Sequence, residues 1–412
     1  MRSKRRQYQA VGETARRHRP DHVLLVATAF LLGLGLVLLV AISPALTAQS
    51  GVGGGYYIWR QMIAMLIGFV LFFIFSKLNI EALKVVRWPL VVASTIAAVV
   101  VLAVYGVAFR WIQIGGLSFQ PAELIKFTIV IVGALFLADK VSSSEHTDTN
   151  KTLVPIAVGM AVVAFVIVIL ERDLGSMVVM LSSIFTMMFV ANVPIHKLFL
   201  ILGAVALLGG AAIASQQYRR DRLFAFLNPE SDCSSTGYHA CQALIAVGSG
   251  GLFGLGIGNS VQAYGYLPEA SNDSIFAIYA EKFGFIGSIL LISLYGLLLY
   301  RILGIVRRAP DNASRFLVAG VFGWLSVQSI INIGAMIGLL PLKGITLPLI
   351  SYGGTSLMFV LAGLGLVYRV SSMTVVRRSL NQGEERRGYV QANYSNDGRR
   401  NSRSYNTASS NR

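Results

Sequence analysis

Gln242 to Lys282 reads QALIAVGSGGLFGLGIGNSVQAYGYLPEASNDSIFAIYAEK, the least helix-like stretch of a chain otherwise built from long apolar runs. Six glycines from Gly248 to Gly258 give up helix propensity and raise the backbone entropy lost on folding. In lipid, irregular backbone is tolerated only where it is buried in protein or lines a cavity. The run therefore reads as close packing or a re-entrant turn, with the apolar segments around it as a frame. It is not a nucleotide loop, because no Gly-Lys-Ser/Thr follows and GxGxxG fails in every register.

Composition sets the class. Of 412 residues, 55% are hydrophobic and only 13% charged, and the mean hydropathy is +0.65. A soluble domain would not carry that much apolar surface, so the expectation is an all-α polytopic membrane protein. The formal net charge of +16 sits mainly in two tails and in short links between apolar runs, which fits membrane orientation rather than nucleic-acid binding. The first run, Val23 to Leu46, is too long for a signal-peptide core and should remain as a span.

Apolar runs follow at roughly 23–46, 57–76, 88–107, 119–138, 153–170, 174–191, 198–214, 275–300, 316–340 and 347–370. By the rule of about 20 residues per crossing, that is about ten transmembrane helices, with a long loop over about 215–273 between helices 7 and 8. Residues 1–21 form a basic tail, 22–370 the membrane domain and 371–412 a second basic tail that should be disordered. The positive-inside rule puts both tails in the cytoplasm together with Lys77, Lys84, Arg87, Lys140, Lys151, Lys197, Arg301, Arg307, Arg308 and Arg315. The polar links 110–123, 171–176, 216–273 and 341–356 then share the extracytoplasmic face. Charges near a bilayer usually face a bundle interior or a wet cavity, so four such links suggest one site.

Asp273 precedes the eighth run, where an aspartate commonly caps or opens a helix. Glu123 and Lys126, three apart, share one helix face as a structural ion pair or as substrate contacts. Glu171, Arg172 and Asp173 crowd one outer link, which a solvated turn would also explain. Arg219, Arg220 and Arg222 lie on the side where basic residues are not expected. A phosphate ligand would account for them, as would Asp221 or lipid headgroups. Ser351 and Tyr352 in LISYGGTS offer hydroxyls either to a cavity or to a packed helix start. Cys233 and Cys241, the only cysteines, favour one disulfide in an oxidising compartment, and with His239 they make a poor zinc set.

Gln120-Pro121-Ala122-Glu123-Leu124 with Lys126, the GSGGLFGLGIGNSVQ run, YLPEA with Asp273, and Pro341 through LPLISYGGTS resemble, in order, the SEDS family of cell-wall glycosyltransferases. Ala270 and Lys343-Gly344 resemble its division-type members more than its elongation-type members. The resemblance implies polymerisation of lipid II at the outer face of the bacterial cytoplasmic membrane, beside a class B penicillin-binding protein and other division proteins. It implies Asp273 as the essential aspartate and Arg110, Glu123, Lys126, Asp173, Ser351 and Tyr352 as cavity residues. Arg219 and Arg220 are added as candidate phosphate contacts. Asn272, Ser274 and Lys282 depart from the family pattern, which usually has Thr-Asp-Phe around the aspartate and a second acidic residue at 282. No cofactor is implied, and a divalent cation beside the pyrophosphate stays open. In this setting the glycines shape a re-entrant approach to Asp273. A lipid II flippase or a non-catalytic division scaffold are the alternatives. A flippase would need functional charges in both halves of the bilayer and internal repeats.

Overall fold

The computed structural model describes residues 16–17, 20–106, 111–114, 117–170, 173–214, 217, 226, 233–234 and 237–374. Each of the ten apolar runs falls on a helix. These are α1 (His22–Ser50), α2 (Tyr56–Lys77), α3 (Ile80–Val100, continued as a π-helical turn over Val101–Tyr105), α4 (Pro121–Ser142), α5 (Val154–Ala164, between π turns Thr149–Leu153 and Phe165–Leu170), α6 (Leu174–Val190) and α7 (Ile195–Ala214). After the long link, which holds α8 (Tyr238–Ser249), come α9 (Ile275–Arg308), α10 (Asn312–Met336) and α11 (Gly354–Ser371). Among the described residues, seven helical segments are long and apolar enough to cross a membrane: α1, α2, α3, the α5 region, α9, α10 and α11. A short antiparallel hairpin, β1 (Ile112–Ile114) with β2 (Leu117–Phe119), precedes α4.

α10 is the centre of the bundle. It packs against α4, α6 and α9, with Phe316, Leu317, Trp324 and Leu325 buried. α2 runs along α11 on one side. At one end, Asp21 caps α1 by accepting from the Leu24 N–H at 3.1 Å and pairs with Arg301 near the end of α9 at 2.5 Å. Residues 17–374 form one compact unit. Apart from 16–17, 20–21 and 371–374, the two basic tails lie outside the described residues.

Three boundaries differ from expectation. α3 starts at Ile80, not near 88, because Ile80 and Leu83 are buried in the bundle, so Lys84 and Arg87 lie on the helix itself. α10 ends at Met336 and α11 begins only at Gly354. Residues 337–353 between them are irregular, since Pro341 and Pro348 cannot continue a helix and Leu349 sits at φ 69°.

The third difference concerns the glycines. α9 is broken at Gly284 (φ 65°, ψ −164°), and the run after α8 lies along that break. Leu255 and Gly256 donate to the Glu281 and Lys282 carbonyls at 2.9 and 3.0 Å, while Phe285 and Ile286 donate to Gly251 and Leu252. The approach is so close that a Cβ on Gly254 would fall 2.2 Å from the Lys282 carbonyl oxygen. The buried Glu281 carboxylate accepts from Ser260 Oγ and from the Val261 and Gln262 N–H groups, and Lys282 Nζ donates to the Ile257 carbonyl at 2.6 Å. The glycines thus splice a helix break and do not form an approach to Asp273.

Candidate active site

The turn 265–274 brings Asp273 to the start of α9. Glu269, held at φ 48°, accepts from Asn272 Nδ2 at 2.5 Å through its carboxylate, and its carbonyl accepts from the Asn272 and Ser274 N–H groups at 3.0 and 3.2 Å. The N-cap of α9 is Ser274, so Asp273 stands one residue outside the helix and not at the capping position. Asn332 of α10 fixes it from below, its Nδ2 donating to the Asp273 and Ile345 carbonyls, both at 2.7 Å. From the other side, Ser351 Oγ donates to the Asn272 carbonyl at 2.5 Å, and the Tyr352 N–H donates to the Ser271 carbonyl at 2.8 Å. The irregular 337–353 segment therefore splints the turn.

Asp273 opens onto a cavity of about 600 Å³. Glu123 and Lys126 line it from the first turns of α4, Gln120 and Ser118 from the hairpin side, Arg60 from α2, His239 from α8, and Tyr352 from the segment before α11. Glu123 and Lys126 form a salt bridge at 2.7 Å with side chains 5% and 2% exposed. Lys126 also lies 5.7 Å from the centre of the Trp324 ring and 3.5 Å from Gln328 Oε1. Arg60 donates to the Tyr56 hydroxyl at 2.7 Å. Burial raises the Tyr352 phenol above its ordinary value, with the Arg60 guanidinium acting in the opposite direction. The cavity thus combines carboxylates with two cations in a partly desolvated space, where charge is felt strongly.

Of the residues singled out in the sequence, Asp273, Glu123, Lys126 and Tyr352 line one cavity. Asp173 sits behind it, 2% exposed, as the N-cap of α6. It accepts from the Ser176 N–H and hydroxyl at 3.0 and 2.8 Å and lies 3.4 Å from Gln120 Nε2. Ser351 is buried in the splint and does not line the cavity. Arg110, Arg219 and Arg220 lie outside the described residues, as do Glu171, Arg172 and Arg222. Arg60, His239, Gln328 and Asn332 were not selected from sequence. A cation at the start of the second apolar run, on the face shared by the polar links, was the available signal for Arg60. Cys233 and Cys241 form a disulfide that brackets His239 and ties the start of α8 to the preceding link. Among the described residues no three His, Cys, Asp or Glu gather as a metal set.

A family model described as cell cycle protein, FtsW/RodA/SpoVE, matches residues 22–375. The chain belongs to the FtsW/RodA/SpoVE family. It is 35% identical over 365 residues to stage V sporulation protein E of Bacillus subtilis (strain 168), covering 87% of this chain and 98% of that protein. It is 37% identical over 368 residues to a protein of Coxiella burnetii named probable peptidoglycan glycosyltransferase FtsW, covering 86% of this chain and 96% of the relative. Among solved structures, it resembles a chain of a peptidoglycan synthase complex at a TM-score of 0.69 and 29% identity, covering 86% of this chain and 98% of the other. RodA of Thermus thermophilus superposes with a TM-score of 0.60 at 29% identity, covering 86% and 97% of the two chains. The SEDS resemblance read from QPAEL, the glycine run and LPLISYGGTS is therefore correct. Of the departures from the family pattern, Lys282 serves the glycine run and does not line the cavity, whereas Asn272 braces the turn and lines the cavity beside Asp273.

Proposed function

We propose that this peptidoglycan glycosyltransferase polymerises lipid II into β-1,4 glycan strands at the extracytoplasmic face of the bacterial cytoplasmic membrane, in the division branch of the family. Both termini lie in the cytoplasm, and a class B penicillin-binding protein works beside it to crosslink the product. Family membership carries the coarse activity. The similarity to a chain of a peptidoglycan synthase complex supports the partner.

One observation carries the chemistry: Asp273 faces a cavity that also holds Lys126 and Arg60. Asp273 acts as general base on the attacking sugar 4-hydroxyl. As that oxygen bonds to the anomeric carbon of the donor, its proton passes to the carboxylate and the carbon–phosphate oxygen bond breaks, releasing undecaprenyl pyrophosphate with the electron pair. The anomeric configuration inverts. Pyrophosphate leaves without protonation, so the site needs cations for it and not the second carboxyl of a glycosidase. Lys126 and Arg60 are placed to supply them, and Glu123 holds Lys126 in its buried position. Arg110, Arg219 and Arg220 are proposed as further phosphate contacts. Asp173 and Ser351 act through Gln120, Ser176 and the Asn272 carbonyl, shaping the walls.

The test is extension of labelled lipid II by the purified chain with its cognate transpeptidase. Asp273→Ala should lose polymerisation by a factor of about 10² or more while still binding the partner. A variant that polymerised normally would remove the assignment.

A further inference from the structure

Ser274 follows the proposed base directly and is fully buried. Its hydroxyl donates its one proton to the Pro268 carbonyl at 2.8 Å, because a carbonyl only accepts. The 2.7 Å contact between Ser274 Oγ and His239 Nε2 must then have the imidazole as donor. A neutral ring therefore carries its proton on Nε2, and an imidazolium would keep the same bond. His239 stands in the first turn of α8, next to a disulfide that ties that turn to Cys233, and it lines the cavity into which Asp273 faces.

We propose that His239 is a positioning residue for glycosyl transfer, its Nε2–H holding Ser274 and the Pro268–Asp273 turn, and its protonation placing a positive charge beside the base. The inference rests on the reading of Asp273 as that base. Elements packed around the cavity present Glu269 and Asp273 from the turn, Arg60 from α2, Glu123 and Lys126 from α4, and Tyr352 from the segment before α11. α10 contributes Ala335 and no titratable group to the described lining. With Glu123 paired to Lys126, the other carboxylates that share the cavity with His239 are those of Asp273 and Glu269, and a charge on His239 acts on them. An imidazolium favours an ionised carboxylate and so makes it a weaker base. An unperturbed histidine titrates near pH 6.5, inside the range where a cell envelope varies. The hydrogen bond survives protonation, so the turn stays in place while the base weakens.

The experiment is the pH profile of lipid II polymerisation by the full chain with its transpeptidase, from about pH 5 to about pH 8.5. His239→Gln keeps an N–H donor without a titrating group; it should retain activity within about twofold of the parent at the alkaline end and change the acid limb, leaving only the part set by protonation of Asp273 itself. His239→Ala should lower kcat about tenfold with KM nearly unchanged, because the turn is no longer held. An acid limb in His239→Gln with the same midpoint and steepness as the parent's overturns the proposal. Equal losses in both variants, together with equal drops in thermal midpoint, overturn it as well, since they mark a merely structural side chain. Asp273→Ala run in parallel separates the two readings. If that variant is inactive and both His239 variants match the parent in rate and profile, only the role of His239 fails.

Discussion

Lys126 is the most informative residue to remove. Its ammonium lies 2.7 Å from Glu123 Oε1 with both side chains nearly inaccessible, and Glu123 Oε2 has no hydrogen-bond partner among the described residues. The pair is therefore asymmetric. Without Lys126, the Glu123 carboxylate keeps its burial and loses its cation, whereas without Glu123 the ammonium still has Gln328 and the face of Trp324. Breaking a buried pair from one side costs about 3–5 kcal/mol, and replacing both partners by uncharged groups of similar volume is often nearly neutral. Lys126→Met should thus fall at the upper end of that range and Glu123→Gln below it. The double variant Glu123→Gln/Lys126→Met should recover most of the loss. Thermal midpoints of the detergent-solubilised chain rank the three, and polymerisation of lipid II is measured on the same samples. Activity should remain lost in the double variant, because the cation proposed to hold the leaving pyrophosphate is gone even though the fold is restored. The reasoning is refuted if Lys126→Met is as stable as the parent, or if the double variant polymerises at the parental rate.

Other expectations follow from single contacts. Asn332→Leu removes the donor shared by the Asp273 and Ile345 carbonyls and should cost about 2–4 kcal/mol, with a parallel loss of polymerisation, read by thermal midpoint and by activity. Gly254→Ala places a Cβ into the Lys282 carbonyl at φ 84° and should cost more than about 2 kcal/mol, seen as loss of monodisperse protein in size-exclusion chromatography. Glu145, in the loop after α4, is hydrogen-bonded by Lys151 and Lys140, which lower its carboxyl from 4.5 to about 2. A folded value below the unfolded one means that its contribution is present above pH 4.5 and fades as pH falls toward 2. Glu145→Gln should therefore differ from the parent in thermal midpoint at pH 6 and converge with it near pH 2.

How much of this was legible depended on the kind of signal. Long apolar runs report helices because burial or lipid exposure of twenty apolar residues leaves few alternatives, and all ten runs gave helices. The convergence of Asp273, Glu123, Lys126 and Tyr352 followed from counting crossings, which puts polar links on one side before any contact is known. The break at Gly284 was invisible, because a glycine inside an apolar run reads as a tolerated helix residue and its partner segment is not apparent from local pattern. Residues 337–340 and 347–353 read as helix ends for the same reason: their apolar content matches a span, and only Pro341, Pro348 and the backbone at Leu349 contradict it. Ser351 was chosen for a hydroxyl that turned out to hold backbone, while His239 was weighed only as a metal ligand. Side-chain direction decides both, and a sequence does not carry it.

The break in α9 also constrains how the chain is assembled. At Gly284 the helical ladder is interrupted, and the Phe285 and Ile286 N–H groups are taken up by Gly251 and Leu252. A helix inserted into lipid with those donors open would leave backbone polar groups in hydrocarbon at several kcal/mol each. The first turns of α9 therefore have these donors satisfied in the bilayer only with the 250–256 segment folded back against them. That segment lies a short way earlier in the chain, so the loop to be closed is small and its entropic cost low. The placement of Asp273 in this sense depends on both segments together: the carboxylate sits at the end of a helix whose broken ladder is completed by its preceding loop.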